Sequence, residues 1–548
     1  MVIGSRGTPE YLGVSSPTVA VRQLSIAGHM DVNREVPSYN EDALRRRISV
    51  TNHAFLPPYT VAMKYFQAQH CMIGMIFNFV SEEEFERHLR ECLLQLPDIN
   101  DAEACLKYCQ VLMVMAFGQM YAVNIYYNAD GPPGFAYFAQ ALQYLPDIHT
   151  NPSVLFCGVL SLIGYFMQNL IRRDAAFMYL GLAQRMALSL ALHEEVSIPG
   201  FDETLKEQRR RTWWSIYSID RIFCIKYGNP VTMHDEDISV ALPNRLPHEP
   251  EYCSAVVLRH YTMLSQILSQ IMDRIYRKTA KNGGQLMAAV QDIMRALIKW
   301  EQELPSELRM TSTEIHRREA VSTYLHYYQC ISMTARPLLF WVVEKRLQEG
   351  TTEDWRAGLP QATTGIIEMC INAAKDTIAI MNAAADKDLV TVFGYMDGEH
   401  CFCAALVMVV VNIALPYNEK NAQSMEAGLA LLESLASKGN HHLDARHQML
   451  LQLLHRGQLR SEGDIVPDYN EPDFMPTLHQ HALDGVFPPE ATTDLDLLNF
   501  KAAYSRSDMN IESDLQHMSN FPGSLSWQEI EQPSHDLGET DGLIYQLQ

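Results

Sequence analysis

Gln208-Arg209-Arg210-Arg211-Thr212-Trp213-Trp214-Ser215-Ile216-Tyr217-Ser218-Ile219-Asp220-Arg221-Ile222-Phe223-Cys224-Ile225-Lys226-Tyr227, closed by Gly228-Asn229-Pro230, is the stretch whose reading decides the fold. Trp213, Ile216, Tyr217, Asp220, Phe223, Cys224 and Tyr227 recur at steps of three and four. Such steps share one face of an α-helix. Gly suits the position just past a helix end and proline cannot continue the helix, so Gly228 and Pro230 mark its stop. The pattern predicts a helix over 208–227. Asp220 is the odd member, because a lone carboxylate in an aromatic stripe is costly to bury without a partner. Arg210 and Arg336 are the cations expected to meet it.

Outward from this helix the same chemistry repeats. From about Phe55 to Leu454, apolar residues return mainly at three- and four-residue steps, and β-type alternation is scarce. Turn signals separate the segments at Asp130-Gly131-Pro132-Pro133-Gly134, Asn151-Pro152, Ile198-Pro199-Gly200, Asn282-Gly283-Gly284 and Gly439-Asn440. No fixed-period repeat is visible. The expected fold is all-α, one large multi-helix domain over 53–460. A partly disordered lead-in (1–52) precedes it, and a largely disordered acidic tail (461–548) follows. The most apolar run, Cys401 to Leu415, is shorter than the ~20 residues of a membrane span. It contains Asn412 and reads as a core helix. No membrane association is expected.

Charge divides the chain. The formal net charge is −22, and residues 461–548 hold 17 Asp and Glu against Lys501 and Arg506 alone. A chain of this balance is repelled by nucleic acid unless a local basic patch overcomes the repulsion. The 11 cysteines are odd in number, scattered, and mostly within helical stretches. Reduced, buried thiols in the cytosol or nucleus fit better than a disulfide framework. Neither Cys401-x-Cys403 nor Cys105-x3-Cys109 has neighbouring ligands, so no metal site is read.

The remaining chemical candidates have structural readings. Arg45–Arg47 could serve nuclear import, whereas Lys206–Arg211 reads as an opening helical turn pairing with carboxylates. His193 follows the apolar helix 177–192, where an imidazole meets the helix dipole and terminal carbonyls. His441, His442 and His447 read as an exposed helix turn. Glu82–Glu84 read as a helix N-terminus. Trp213 and Trp214, on an amphipathic helix without a basic groove, pack in a core rather than stack on bases. The phosphate-binding glycine loops, Gly-x-Ser-x-Gly and His-Glu-x-x-His are absent from the sequence. No catalytic, cofactor-binding or metal-ligating set is read.

Arg209 to Arg221, followed by Gly228-Asn229-Pro230, Asp235-Glu236-Asp237-Ile238 and Leu242-Pro243, resembles the signature of the fungal-specific transcription factor domain, the middle homology region of zinc-cluster regulators. Its matching positions are Arg210, Arg211, Trp213, Trp214, Asp220, Arg221, Gly228, Pro230, Asp237 and Pro243. Tyr11–Ser16, Tyr179–Glu194, Trp300–Pro305 and Ala335–Leu338 are similar to weaker family segments, so the likeness runs from about Tyr11 to Leu454. Asn229 departs from it, since the family commonly has arginine there. The six-cysteine zinc cluster is the larger departure: the first cysteine is Cys71. The likeness begins about where such a regulator continues after its cluster and linker.

The resemblance implies a nuclear transcriptional regulator of a fungal metabolic or secondary-metabolite pathway, and not an enzyme. It implies a small-molecule effector and homo- or hetero-dimerisation with a zinc-cluster factor. DNA contact would come from an upstream zinc cluster or through that partner. The alternatives are a co-regulator acting through a DNA-binding partner, and a helical enzyme. The tail adds a mechanism. Asp494-Leu495-Asp496-Leu497-Leu498-Asn499-Phe500, and Leu525, Trp527 and Ile530 beside Glu529 and Glu531, alternate acids with bulky apolar groups. Repulsion keeps such segments open while the apolar groups stay available to a coactivator groove of the transcription machinery.

Overall fold

The computed structural model describes residues 2–3, 9–10, 55–125, 131–147, 152–196, 201–277, 283–310, 317–349 and 354–461. Arg45–Arg47, nearly all of the expected lead-in and the acidic tail lie outside them. Among the described residues the fold is all-α, apart from a two-residue ladder pairing Val2–Ile3 with Pro9–Glu10. Fourteen α-helices follow: α1 Tyr59–Gln69, α2 Glu82–Leu94, α3 Ala102–Val123, α4 Phe135–Tyr144, α5 Val154–Asn169, α6 Arg173–Ser189, α7 Glu203–Tyr227, α8 Ser254–Ile271, α9 Gly283–Gln302, α10 Arg318–Glu349, α11 Gln361–Ala385, α12 Tyr395–Ala414, α13 Glu419–Ser437 and α14 His441–Ser461.

Local chemistry sets many of the boundaries. The Oγ of Ser81 accepts from the Glu84 amide, and Glu82–Glu84 occupy the first turn of α2, where acids favour the dipole. Asp101, Ser153, Asp202 and Asn418 cap α3, α5, α7 and α13 in the same way. Gly118 lets α3 approach α1, since a Cβ there would lie 2.3 Å from the Tyr65 carbonyl oxygen. Pro337 sits inside α10 without breaking it. A proline frees the carbonyl four residues earlier, and the Met333 carbonyl accepts from Tyr276 Oη at 2.8 Å instead.

Most helices pack against their chain neighbours, notably α5 on α6, α10 on α11 and α12 on α13, while α1 lies against α3. α5 and α12 run through the interior, buried on nearly every face. α12 contains the apolar run expected to be a core helix. It is long and apolar enough to cross a membrane by length and composition, yet most of it is covered by the rest of the bundle. Nine cysteines are buried, Cys71 is exposed and Cys403 is half-buried, all as free thiols. Burial pushes the Cys92 thiol up to about 12, which suits a packing role over a reactive one. The histidines of α14 differ from expectation: His441 is exposed, but His442 is half-buried and His447 buried. α14 packs on α12 and α13 and turns that face inward.

Candidate functional site

α7 begins five residues before the expected start at Gln208, at Glu203, and every residue from Thr212 to Tyr227 is buried. The helix is surrounded rather than laid on a core. It ends on Gly228 with φ +69°, a left-handed conformation that costs glycine little, and the Asn229 amide donates to the Cys224 carbonyl at 2.8 Å. The segment after it, residues 229–249, folds back along α7. Trp214 Nε1 donates to the Ala241 carbonyl at 2.8 Å.

The three arginines lie in the second and third turns and are already engaged. Arg209 donates to the Leu190 carbonyl at 2.7 Å. Arg210 pairs with Glu195 and, at 3.3 Å, with Glu207. Arg211 grips Glu249 through two nitrogens, at 2.7 and 2.6 Å, and Glu207 at 3.0 Å. Lys206 reaches Glu195 at 3.1 Å. Burial raises the Glu195 carboxyl, but bonds from Arg210, the Ala241 amide and Lys206 outweigh it and hold the group at about 2. Lys206, Arg210 and Arg211 thus face three carboxylates, while Arg209 is taken up by the carbonyl at the end of α6.

Asp220 is fully buried, with Arg221 as its cation, Nη1 to Oδ2 at 3.1 Å. This corrects the sequence expectation of Arg210 or Arg336. Arg210 is held by Glu195 and Glu207, and Arg336 lies over the Phe340 ring. Neighbours in a helix do not ordinarily face each other. Here the following segment draws both inward: Thr232 Oγ1 lies 3.1 Å from Asp220, and Arg221 bonds Asp235 at 3.1 Å, the Met233 carbonyl and the face of Tyr217. Tyr217 Oη also donates to Asp235 at 2.7 Å. Burial raises the Asp220 carboxyl, opposed chiefly by Arg221. Of the other signature residues, Trp213 and Pro243 are buried, whereas Pro230 and Asp237 are exposed and outside this cluster.

A second polar cluster, not read from the sequence, forms at the other end of α7. Lys226 is 4% exposed, and its Nζ lies 3.9 Å from Glu399 of α12, itself 1% exposed. Arg446 of α14 binds the same carboxylate and lies over Phe402. Burial raises the Glu399 carboxyl, but Arg446 and Lys226 hold it at about 2. Beside it, Arg318 of α10 pairs with Asp397 at 2.7 Å, and Asp397 also accepts from the Thr391 amide and hydroxyl. Asn124 holds the Val390 carbonyl and the Val392 amide, and Asn169 accepts from the Tyr395 amide. A charged residue at a helical core position, such as Lys226 or Glu399, was the available signal. Its partner, far away in the chain, was not legible. Among the described residues no group of three or more His, Cys, Asp or Glu side chains is placed to hold a metal ion.

Residues 63–302 match the family model described as the fungal specific transcription factor domain. The match spans α7 and its following segment, and ends before α10. The chain is 22% identical over 487 residues to an uncharacterized transcriptional regulatory protein of Schizosaccharomyces pombe, covering 84% of this chain and 59% of that one. It is 24% identical over 346 residues to the thiamine repressible genes regulatory protein of the same yeast, covering 60% and 43%. An ABC-transporter-regulating transcription factor of Aspergillus oryzae is 21% identical over 452 residues, covering 76% and 48%. The chain spans about half the length of these curated relatives.

Proposed function

We propose that this chain, whose residues 63–302 match the model of the fungal specific transcription factor domain, is the regulatory body of a fungal transcriptional regulator. The domain and the relatives' names point to a regulator and not to an enzyme. The match over α7 and its folded-back segment carries the reading, because that region holds the signature residues Arg210 to Pro243. In the fuller form of the proposal, the regulator works in the nucleus on a metabolic or secondary-metabolite pathway. DNA contact comes from a zinc cluster in a longer protein, or from a zinc-cluster partner with which the chain dimerises. With a formal charge of −22, the chain itself is poorly suited to the polyanion. Coactivator contact falls to residues 461–548, whose leucines and aromatics alternate with acids.

Fusion of the full chain, and separately of residues 461–548, to a heterologous DNA-binding domain tests this. The tail fusion is expected to activate a reporter, and alanine at Leu495, Leu497, Leu498, Phe500 and Trp527 to abolish that activity with every charge kept. Buried apolar area supplies most of the binding energy, while charge steers the encounter. The full chain is expected to give less activation than the tail alone, because the helical body holds the tail in check. A normally expressed full chain and tail that both leave the reporter unchanged would contradict the proposal.

A further inference from the structure

The C-terminal end of α7 gathers more polar groups than it pairs. Tyr165 of α5 stacks along Phe223 of α7 at 6.2 Å, and Gln168 and Tyr227 each stand about one turn further along their helices. Gln168 is 0% and Tyr227 3% exposed. Neither amide atom of Gln168, nor the Tyr227 hydroxyl, has a hydrogen-bond partner among the described residues. Arg173, at the start of α6, lies 4.7 Å over the Tyr227 ring with its Nε unpartnered. Both ring nitrogens of His442, at the start of α14, are buried and unpartnered too. Buried polar groups are ordinarily hydrogen-bonded, and an unpaired one costs free energy. Six such atoms on four residues of α5, α6, α7 and α14 make this the group of unpaired buried atoms to which several helices contribute.

The charge there is also unbalanced. Among the described residues Glu399 is the carboxylate paired with both Lys226 and Arg446, and Asp174, near Tyr227, is exposed. Burial and the neighbouring Arg446 push the His442 imidazole well below its usual pKa, so the ring is neutral and offers one donor. With Arg173 Nε–H, the Tyr227 hydroxyl and the Gln168 amide, the unpaired groups are mainly donors under positive potential. Arg173 and His442 are half-buried, which places the cluster just beneath the surface at the first turns of α6 and α14, with its unpaired atoms themselves covered.

We propose that Gln168, Arg173, Tyr227 and His442 form a binding site for the carboxylate or phosphate group of a small anionic metabolite. Its occupant completes the donors and balances the second cation on Glu399. Because the site joins α5–α7 to α12 and α14, occupancy tightens the contact between the family domain and the helices that follow it. That regulatory meaning rests on the function proposed above; the binding does not.

The test is titration calorimetry and thermal denaturation of the purified full chain with sodium succinate, citrate and phosphate, each against chloride at matched ionic strength. One of them is expected to bind saturably at one site and raise Tm, and which one does so separates carboxylate from phosphate. Tyr227→Phe and Gln168→Leu are each expected to weaken binding about tenfold, as loss of a hydrogen bond to a charged group does. Without anion both variants should melt at or above the parent, since each removes an unpartnered polar group. Should either fail to fold, hydrogen exchange of the parent with the anion is expected to show protection in 165–173 and 441–446. No saturable binding by any of the three would overturn the proposal. So would unchanged affinity in both variants, protection confined to other segments, or a Tyr227→Phe protein that melts lower, the mark of a bound water only. These readouts need no reporter: an absent site leaves the transcriptional reading standing, and a silent reporter leaves the site standing.

Discussion

At its N-terminal end α7 holds Lys206, Arg210 and Arg211 against Glu195, Glu207 and Glu249. At its C-terminal end it holds Lys226 against Glu399, a carboxylate that Arg446 also takes. The first cluster is partly solvated, balanced, and contained within residues 63–302. The second is buried, carries two cations for one anion, and binds that region to α12 and α14. One helix therefore has a closed end, which fixes its own following segment, and an open end, where residues 63–302 meet the rest of the bundle. Buried ion pairs are weak sources of stability and good sources of specific arrangement. The unbalanced cluster therefore sits where residues 63–302 pack against α12 and α14.

The comparison breaks most visibly through Glu399. Glu399→Ala leaves Lys226 and Arg446 buried without their carboxylate, and breaking a buried pair costs about 3–5 kcal/mol. Denaturant unfolding is expected to show a loss in that range. Glu195→Ala, with partly exposed partners and Glu207 still holding Arg210, is expected to lose only about 1 kcal/mol. Equal losses would erase the distinction between the two ends. Asp220→Ala should fall between them at roughly 3 kcal/mol, the low end for a buried pair, because Arg221 keeps Asp235, the Met233 carbonyl and Tyr217. An unchanged melting temperature in Asp220→Ala would refute its structural role.

Acid sharpens the same contrast. His326, stacked on Tyr261 close to Lys226, is held by burial at about 3, below its ordinary 6.5. A base whose folded pKa is depressed binds more protons when unfolded, so its contribution is complete above about 6.5 and is lost as pH falls toward 3. Glu399 and, at the other end, Glu195, both depressed from 4.5 to about 2, add a further loss below about 4.5 that the two ends share. Stability is therefore expected to decline from pH 7 to pH 5, and His326→Phe to flatten that slope. An identical slope in the variant would show that His326 does not set it.

Legibility followed sequence distance. The stripe from Trp213 to Tyr227, its stop at Gly228 and the acidic start of α2 were readable, because periodicity and capping act within a few residues. The stripe understated the burial of α7, since no pattern on one helix reveals how many others surround it. Glu207 and Arg211 stand four apart and meet as that spacing allows. The partner of Asp220 was misread because Arg221, its immediate neighbour, reaches it only when Thr232 and Asp235 fold back over both. Lys226, Glu399 and Arg446 come from three helices far apart in the chain, and only tertiary packing brings them together.

The smallest expected change tests the central claim most directly. If two cations share one carboxylate at the open end of α7, removing one cation leaves a complete Glu399–Arg446 pair and relieves a desolvated charge. Methionine fills nearly the volume of the lysine stem, so packing is kept. Denaturant unfolding of Lys226→Met is therefore expected to give a stability within about 1 kcal/mol of the parent, or above it. A loss of about 3–5 kcal/mol, the cost of breaking an indispensable buried pair, would show that Lys226 is a required partner of Glu399 and that the cluster is balanced without any further group.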